Sequence, residues 1–170
     1  MELRDRIRAI PDFPVAGVLY RDITPLLADH AAFDEAVRRM CEPWTEQGVE
    51  LVAAMEARGF MFAAPMALQL GCGVVPVRKP GKLPARTLSV EYELEYRKDR
   101  LEIHADAVRK GQRVLVVDDV LATGGTAAAV LQLLRRLEAE VAGFEFLLEL
   151  TDLHGRDLLR GWDVRSVLTY

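Results

Sequence analysis

Residues 114–130 read VLVVDDVLATGGTAAAV, and this stretch decides the predicted fold. Its four aliphatic residues are typical of a buried strand (113–117), and its alanine-rich end is typical of a helix (125–138). Between them lie two adjacent carboxylates, Asp118 and Asp119, in a predicted loop over 118–124. Such close like charges raise the pKa of one carboxyl unless a cation, a polyhydroxyl ligand or solvent relieves the repulsion. The stretch therefore predicts an occupied site where a buried strand ends.

The small residues of this loop favour a bound phosphate. Open α/β sheets place their ligands at the carboxyl ends of the strands. Gly124 and Gly125 let the backbone curl tightly, the hydroxyls of Thr123 and Thr126 can donate, and the following helix directs its N-terminal amides at the loop. The lysine of a Walker loop and the G-x-G-x-x-G of a dinucleotide site are both missing. The pattern predicts a cradle for a phosphate monoester.

The two aspartates suit a sugar next to that phosphate. Carboxylates accept hydrogen bonds from vicinal hydroxyls, and they can hold Mg²⁺ through water. Phosphate, diol and cation together indicate a phosphorylated ribose. An N-capped helix with two solvated aspartates is the alternative that the pattern alone leaves open.

The rest of the chain alternates apolar runs with segments of helical period, which predicts an α/β fold with a mostly parallel sheet. The predicted strands are 49–55, 72–78, 113–117, 141–150 and 163–170, and the predicted helices are 31–47, 59–71 and 125–138. Residues 79–87 form a basic loop, and 88–108 alternate around Arg97, Lys98 and Asp99 as an extended hairpin with a polar tip. No linker is visible, so residues 1–170 are predicted to form one domain.

Composition restricts the functional classes. The chain has 170 residues, 51% hydrophobic and 28% charged, with a net charge of −4, which fits one globular domain and argues against general nucleic-acid binding. No apolar run approaches the ~20 residues that span a bilayer, and the N-terminus does not resemble a signal peptide, so a cytoplasmic protein is expected. Cys41 and Cys72 lack metal-site spacing and are predicted to be core or near-surface thiols.

Four stretches together resemble the adenine-acting members of the type I phosphoribosyltransferase family, across most of residues 10–150. They are FPVAGVLYRDITPLL (13–27), EARGFMF (56–62), RKPGKLPARTLSVEYELEY (78–96) and LEIHADAVRKGQRVLVVDDVLATGGT (101–126). The departures are local: Arg97 stands where many members have glycine, and Ala63 and Ala64 stand where a glycine is common.

The resemblance implies the type I phosphoribosyltransferase fold, a mostly parallel central sheet flanked by helices, with an N-terminal hood (1–30) and a basic loop and mobile flap (79–108). It implies transfer of a phosphoribosyl group from 5-phosphoribosyl-1-pyrophosphate (PRPP) to N9 of adenine, giving AMP and pyrophosphate. Mg²⁺ would be bound mainly through PRPP and water, and no protein ligand to the metal is assigned. A homodimer is also implied, with no nucleic-acid or membrane partner.

The resemblance further assigns a set of site residues. The 5′-phosphate is expected at the phosphate loop, Ala122, Thr123, Gly124, Gly125 and Thr126, with Asp118 and Asp119 on the ribose hydroxyls. Pyrophosphate is expected at the pyrophosphate loop, Ala57, Arg58 and Gly59, with added charge from Arg78, Lys79 and Lys82. Glu95 and Tyr96 would close the flap over PRPP, so Glu95, Tyr96 and Arg58 are the expected catalytic residues, while Leu19 and Arg21 would meet adenine.

Two other functions stay open. One is transfer to another purine, such as xanthine, hypoxanthine or guanine, although an oxopurine site would need a donor facing O6. The other is a non-catalytic regulator that senses PRPP and binds nucleic acid, for which a broad basic face or an added domain is expected.

Overall fold

The computed structural model of the chain describes residues 2–94 and 97–170. The chain divides into two compact units, Met1–Arg39 and Met40–Tyr170. Within the described residues, no helix is both long and apolar enough to cross a membrane. The hood residues lie in the first unit, and the loops that follow the sheet strands lie in the second.

The first unit contains a short antiparallel ribbon and the start of the helical layer. Its elements are β1 (Arg8–Pro11), β2 (Leu19–Asp22), α1 (Thr24–Ala28) and α2 (His30–Cys41), after a 3₁₀ turn at Leu3–Arg6. The Asp29 carboxylate accepts a hydrogen bond from the Ala32 amide at 3.1 Å and so caps the start of α2. The helix predicted over 31–47 is too long, because Pro43 cannot continue the α-helical ladder and the chain enters a 3₁₀ turn at Glu42–Trp44.

The second unit is built on a five-stranded sheet in the order β4-β3-β7-β8-β9, in which every neighbouring pair is parallel. Its elements are β3 (Leu51–Met55), α3 (Arg58–Leu70), β4 (Gly73–Val77), β5 (Thr87–Leu94), β6 (Arg97–His104), β7 (Arg113–Leu121), α4 (Gly125–Arg136), β8 (Glu140–Glu149) and β9 (Val164–Thr169). The predicted parallel sheet is confirmed. Because its strands are parallel, the segments that follow β3 and β7 emerge at the same edge of the sheet.

Helices cover the apolar strands and form the core. Val114 to Val117 of β7 are fully buried, as expected for a strand covered on both faces. The predicted apolar face of α4 is confirmed, since Val130, Leu133 and Leu134 are fully buried. The helix ends at Arg136, two residues before the predicted end.

The predicted hairpin is confirmed, but its predicted tip is wrong. Strands β5 and β6 pair antiparallel, from Thr87 opposite His104 to Leu94 opposite Arg97. Lys98 and Asp99 therefore lie within β6, opposite Glu93 and Tyr92, and not at the tip. Alternation alone does not fix the register of a hairpin, which depends on the turn. The two predicted flap residues, Glu95 and Tyr96, lie outside the described residues.

The core of the second unit contains a buried carboxyl. Glu145 on β8 accepts a hydrogen bond of 2.7 Å from the Trp44 indole nitrogen, and the Arg165 guanidinium lies 5.2 Å from the Trp44 ring centroid. Burial raises the pKa of Glu145 to about 8, against the opposing effects of Trp44 and Arg165, while Asp163 raises it further. The Glu145 carboxyl is therefore mainly protonated in the folded protein at neutral pH.

This burial predicts a pH-dependent stability that glutamine at position 145 removes. Between the usual glutamate pKa and about 8, the folded chain holds a proton that the unfolded chain has lost, so the free energy of unfolding falls as pH rises. We expect Glu145→Gln, which keeps an acceptor for Trp44, to remove a decline of about 1.4 kcal/mol per pH unit in that range. Urea unfolding of both proteins from pH 5 to 8 measures the difference, and parallel pH profiles would contradict the prediction.

Candidate functional site

The two adjacent aspartates lie inside a strand, not in the predicted loop. β7 continues past residue 117 because β8 continues to pair with it, with Asp118 opposite Phe146, Val120 opposite Leu148 and Leu121 opposite Glu149. The loop that follows is correspondingly short, and α4 begins at Gly125. The two aspartates are thus held in place by strand pairing, and the short loop and α4 follow them.

The charges of the two aspartates are relieved unequally. Asp119 is only 5% exposed and forms an ion pair with the Arg58 guanidinium. The Asp119 amide donates a 2.9 Å hydrogen bond to an Asp118 carboxylate oxygen. Burial, and next the Asp119 charge, raise the pKa of Asp118 well above its usual value. One carboxylate therefore has a cationic partner, and the other is placed to gain from a ligand that donates hydroxyl hydrogen bonds.

The phosphate loop forms a concave cradle at the end of β7. Ala122 to Thr126 line a cavity of ≈ 70 Å³ together with Asp118 and Phe146. Gly124 has φ +83°, a left-handed conformation that favours glycine, and no side chain caps the first turn of α4. The uncapped amides and the positive end of the helix dipole make this cavity suited to an anion.

The pyrophosphate loop follows β3, the strand next to β7. The Glu56–Ala57 peptide is cis, and Arg58 is the first residue of α3. Gly59 is buried against Asp118, and a β-carbon there would lie 2.8 Å from an Asp118 carboxylate oxygen. The absence of a side chain at Gly59 thus lets the start of α3 approach the carboxylates.

Two basic residues after β4, Arg78 and Lys79, form ion pairs with acidic side chains. Glu56 accepts hydrogen bonds from the Lys79 amide and, at 3.1 Å, from the Arg78 guanidinium. Burial raises the pKa of Glu56, but these hydrogen bonds outweigh it and lower the pKa overall. The Lys79 ammonium pairs with Asp99 of the hairpin, and Lys82 is exposed. Only Lys79 of these three bases lines a described pocket with Arg58.

A second cavity joins these parts. It measures ≈ 220 Å³, and its lining combines the segment 55–58, Lys79, the hairpin residues Tyr92 and Leu101, both aspartates and Thr126. Asp118 and Thr126 line this cavity and the phosphate cradle alike. The arrangement offers an anion cradle and, adjoining it at the aspartates, a cavity that contains the cationic side chains of Arg58 and Lys79, here called the cationic pocket. Such a pair of cavities suits a sugar that carries phosphates at both ends.

Most of the predicted residues in the second unit are brought together, and the structure adds others. Glu56, Tyr92 and Gly155 were not predicted as site residues. Glu56 is the first residue of the recognised EARG motif, whereas Tyr92 is one of several alternating hairpin residues. Gly155 carries no local signal, because its contact with the phosphate loop is made across a long stretch of chain. Leu19 and Arg21 lie on β2 of the first unit, with Leu19 half exposed. Their proposed role at the purine stays a prediction.

Within residues 2–94 and 97–170, no three His, Cys, Asp or Glu side chains are grouped so as to hold a metal ion. Asp118 and Asp119 nevertheless supply hard oxygen ligands that fit a Mg²⁺ bound mostly by phosphate oxygens and water. Both cysteines are free, and burial raises the pKa of Cys41 to about 12 and also raises that of Cys72. Their predicted place in or near the core is confirmed.

Comparison with known proteins gives one consistent result. A family model, the phosphoribosyl transferase domain, matches residues 27–168. Adenine phosphoribosyltransferase of Thermotoga neapolitana is 54% identical over 170 residues, which cover all of both chains. The corresponding protein of Clostridium perfringens is 52% identical and is matched over 99% of its length by the whole of this chain.

Solved structures agree with the sequence relatives. Adenine phosphoribosyltransferase from Thermoanaerobacter pseudethanolicus superposes with a TM-score of 0.96 at 53% identity, over 99% of this chain and 98% of that one. The protein of that name from Saccharomyces cerevisiae, complexed with an imino-altritol bisphosphate and adenine, gives a TM-score of 0.93 at 37% identity. That match covers 98% of this chain and 97% of the yeast chain.

Proposed function

The chain belongs to the phosphoribosyltransferase family, and on that basis we propose that it transfers the phosphoribosyl group of PRPP to N9 of adenine. The products are AMP and pyrophosphate, so the reaction is a purine salvage step. The observation that carries the proposal is the pair of cavities that meet at Asp118 and Thr126. A phosphate cradle, two carboxylates and a cationic pocket in that order match the 5′-phosphate, the ribose hydroxyls and the pyrophosphate of PRPP.

Binding of the sugar phosphate is assigned to the segment 118–126. The amides of Ala122 to Thr126 and the Thr123 and Thr126 hydroxyls hold the 5′-phosphate, helped by the N-terminal end of α4. Asp118 and Asp119 accept hydrogen bonds from the ribose hydroxyls, which lowers the cost of placing two carboxylates together. This orientation directs C1′ towards the second cavity.

Cleavage of the C1′–O bond separates charge, and the chain offers groups for the anionic side. Positive charge develops on the ribose ring as the electron pair leaves with pyrophosphate, and the new bond forms from adenine N9 to C1′. Ala57, Arg58 and Lys79 line the pocket proposed for pyrophosphate. Gly59 is proposed as a further contact, and Arg78 and Lys82 are proposed to add positive charge. Fixed cations stabilise the leaving group best in a site that excludes water.

We propose that the flap excludes water from the reacting sugar. Water would otherwise capture the cationic sugar and consume PRPP without forming a nucleotide. Glu95 and Tyr96 are proposed to close over PRPP, and Glu95 either handles the proton at the purine or organises the closed flap. Leu19 is proposed to pack on the adenine ring, and the main chain of Arg21 to hydrogen-bond its edge.

Mg²⁺ is the proposed cofactor. Bound mainly to PRPP and water, it would neutralise charge on the pyrophosphate, and the carboxylates of Asp118 and Asp119 fit water-mediated contact with it. A cytoplasmic location stays a prediction from the sequence.

A homodimer is proposed, and an exposed apolar stripe on α3 supports it. Met61, Ala64 and Leu68 follow the i, i+3, i+7 spacing of one helix face, and Leu68 is 85% exposed. Val74 on the edge strand β4 is also exposed. A second copy of the chain would bury this surface. Light scattering of the purified protein should give the mass of two chains, and the mass of one chain would contradict the proposal.

A panel of purine bases tests the activity. We expect adenine, with PRPP and Mg²⁺, to give AMP far faster than hypoxanthine, guanine or xanthine gives its nucleotide, with product followed by chromatography. Turnover of an oxopurine instead would keep the PRPP site but contradict the choice of adenine. Binding of PRPP without turnover of any base would favour a PRPP-sensing regulator.

A further inference from the structure

A short turn after β8 lies directly against the phosphate loop. This 3₁₀ turn, Gly155–Leu159, brings the Gly155 backbone so close that a β-carbon there would lie within 3.0 Å of the Ala122 carbonyl oxygen. A β-carbon on Gly124 would come equally close to the Gly155 carbonyl oxygen. Real β-carbons essentially never show such separations. The backbones of the turn and the loop are therefore in direct contact.

The turn is held in place by a forked ion pair next to Gly155. The Arg156 guanidinium donates to both carboxylate oxygens of Glu149, from Nε at 2.6 Å and from Nη2 at 2.7 Å. Its Nη1 donates to the Val164 carbonyl oxygen at 2.6 Å, and the Ser166 hydroxyl donates to Glu149 at 2.6 Å. Such bidentate contacts fix the orientation of a planar guanidinium.

Glu149, which accepts both hydrogen bonds from Arg156, is paired with β7, the strand that precedes the phosphate loop. Glu149 is buried at the end of β8 and is paired in register with Leu121, the residue before Ala122. The Leu150 amide donates to the Leu121 carbonyl oxygen at 2.9 Å. The phosphate loop thus begins directly after Leu121 on β7. Gly155, on the segment that follows Glu149, contacts the same loop.

We propose that Arg156 and Glu149 are positioning residues for the phosphate loop. They touch no substrate; they hold Gly155 against Ala122 and Gly124, and so keep the loop amides aimed at the 5′-phosphate before it binds. Preorganised donors bind an anion more tightly than donors that must first be ordered. The inference rests on the proposed function and adds to it the residues that set affinity for the 5′-phosphate end of PRPP.

The test compares two ligands that report on the two ends of the site. Ribose 5-phosphate probes the phosphate loop, pyrophosphate probes the cationic pocket, and both are titrated by calorimetry into the full-length protein. We expect Arg156→Gln to weaken ribose 5-phosphate about tenfold and pyrophosphate less than about twofold, because a small displacement of the loop affects only its own ligand. In steady-state kinetics, KM for PRPP should rise while KM for adenine stays unchanged.

Arg160→Gln is the matched control. Arg160 follows the same turn and pairs with Asp157, but both side chains are exposed. Arg160→Gln should leave the affinities for ribose 5-phosphate and for pyrophosphate unchanged. Arg156→Lys, which keeps the charge but not the fork, should fall between Arg156→Gln and the unchanged chain.

Three outcomes would overturn the inference. Unchanged ribose 5-phosphate affinity in a folded Arg156→Gln chain would show that the fork does not position the loop. Equal weakening of both ligands would indicate a general structural role. If Arg156→Gln does not fold, the same criteria apply to Arg156→Lys and Glu149→Gln. Failure of the unaltered chain to bind ribose 5-phosphate would instead contradict the proposed function, and the inference that rests on it.

Discussion

Replacing Arg58 by alanine is expected to lower kcat/KM for PRPP by about 10²–10³-fold, the range seen when one preorganised donor to a developing charge is removed. Arg58 opens α3, lines the cationic cavity and pairs with Asp119. Its loss removes a cation from the proposed pyrophosphate site and leaves the buried Asp119 beside Asp118 without that partner. Initial rates with PRPP varied at saturating adenine measure the effect. Arg58→Lys should lose less, and Arg160→Ala should lose nothing.

A double variant separates the two roles of Arg58. Asp119→Asn alone is the reference, because Asp119 is itself assigned to the ribose hydroxyls. If Arg58 acts on pyrophosphate, Arg58→Ala lowers activity further in the Asp119→Asn background, because the leaving group then lacks its cation. If Arg58 serves only to neutralise Asp119, Arg58→Ala causes no further loss in that background, and this result would contradict the assignment of Arg58 to the pyrophosphate.

The second large effect is expected at Gly124, where alanine should raise KM for PRPP by at least about a hundredfold, since misplacing a binding group by about 1 Å can cost that much. An added methyl group would meet the Gly155 backbone, and the left-handed φ of +83° also disfavours alanine. The loop must move to accommodate it, and the anion cradle moves with it. Affinity for ribose 5-phosphate should fall in parallel.

Gly111→Ala is the control for backbone strain. Gly111 has a similar φ of +79°, but nothing lies within 4 Å of the position of its β-carbon. Both substitutions should lower the melting temperature, whereas only Gly124→Ala should weaken PRPP binding. Equal KM values for the two variants would mean that residues 122–126 do not form the phosphate site.

The sequence was informative wherever one local stretch contains both a strand and the loop that follows it. The aliphatic run, the two aspartates and the Thr/Gly loop predicted the cradle at the end of β7, and the parallel sheet followed from the alternation of elements. The extension of β7 through Asp118 and Asp119 was missed, because it depends on Phe146 and Leu148 of a distant strand. Strand continuation is a property of the pair, and one strand does not reveal it.

Contacts between distant segments were the part that the sequence could not supply. The pairing of Arg58 with Asp119 requires β3 and β7 to be neighbours, which the order of elements along the chain does not state. Arg156 was equally invisible, since a lone glycine and arginine between two strands resemble an ordinary exposed turn. The assignments of Ala57 to Gly59 came from family resemblance, with only general support from the arginine at a helix start.

The adjacency of β3 and β7 also sets when the site can form during synthesis. Leu51 pairs with Val114, so the two loops proposed to bind the ends of PRPP are brought together only after β4 and the whole hairpin have been made. Closing so long a stretch costs entropy before any contact rewards it, which makes such pairing slow. A nascent chain that has emerged from the ribosome only as far as β6 can pair β3 with β4, but it still lacks β7 and the phosphate loop. The substrate therefore cannot guide the early steps of folding, and can act only after β7 and the phosphate loop have been made.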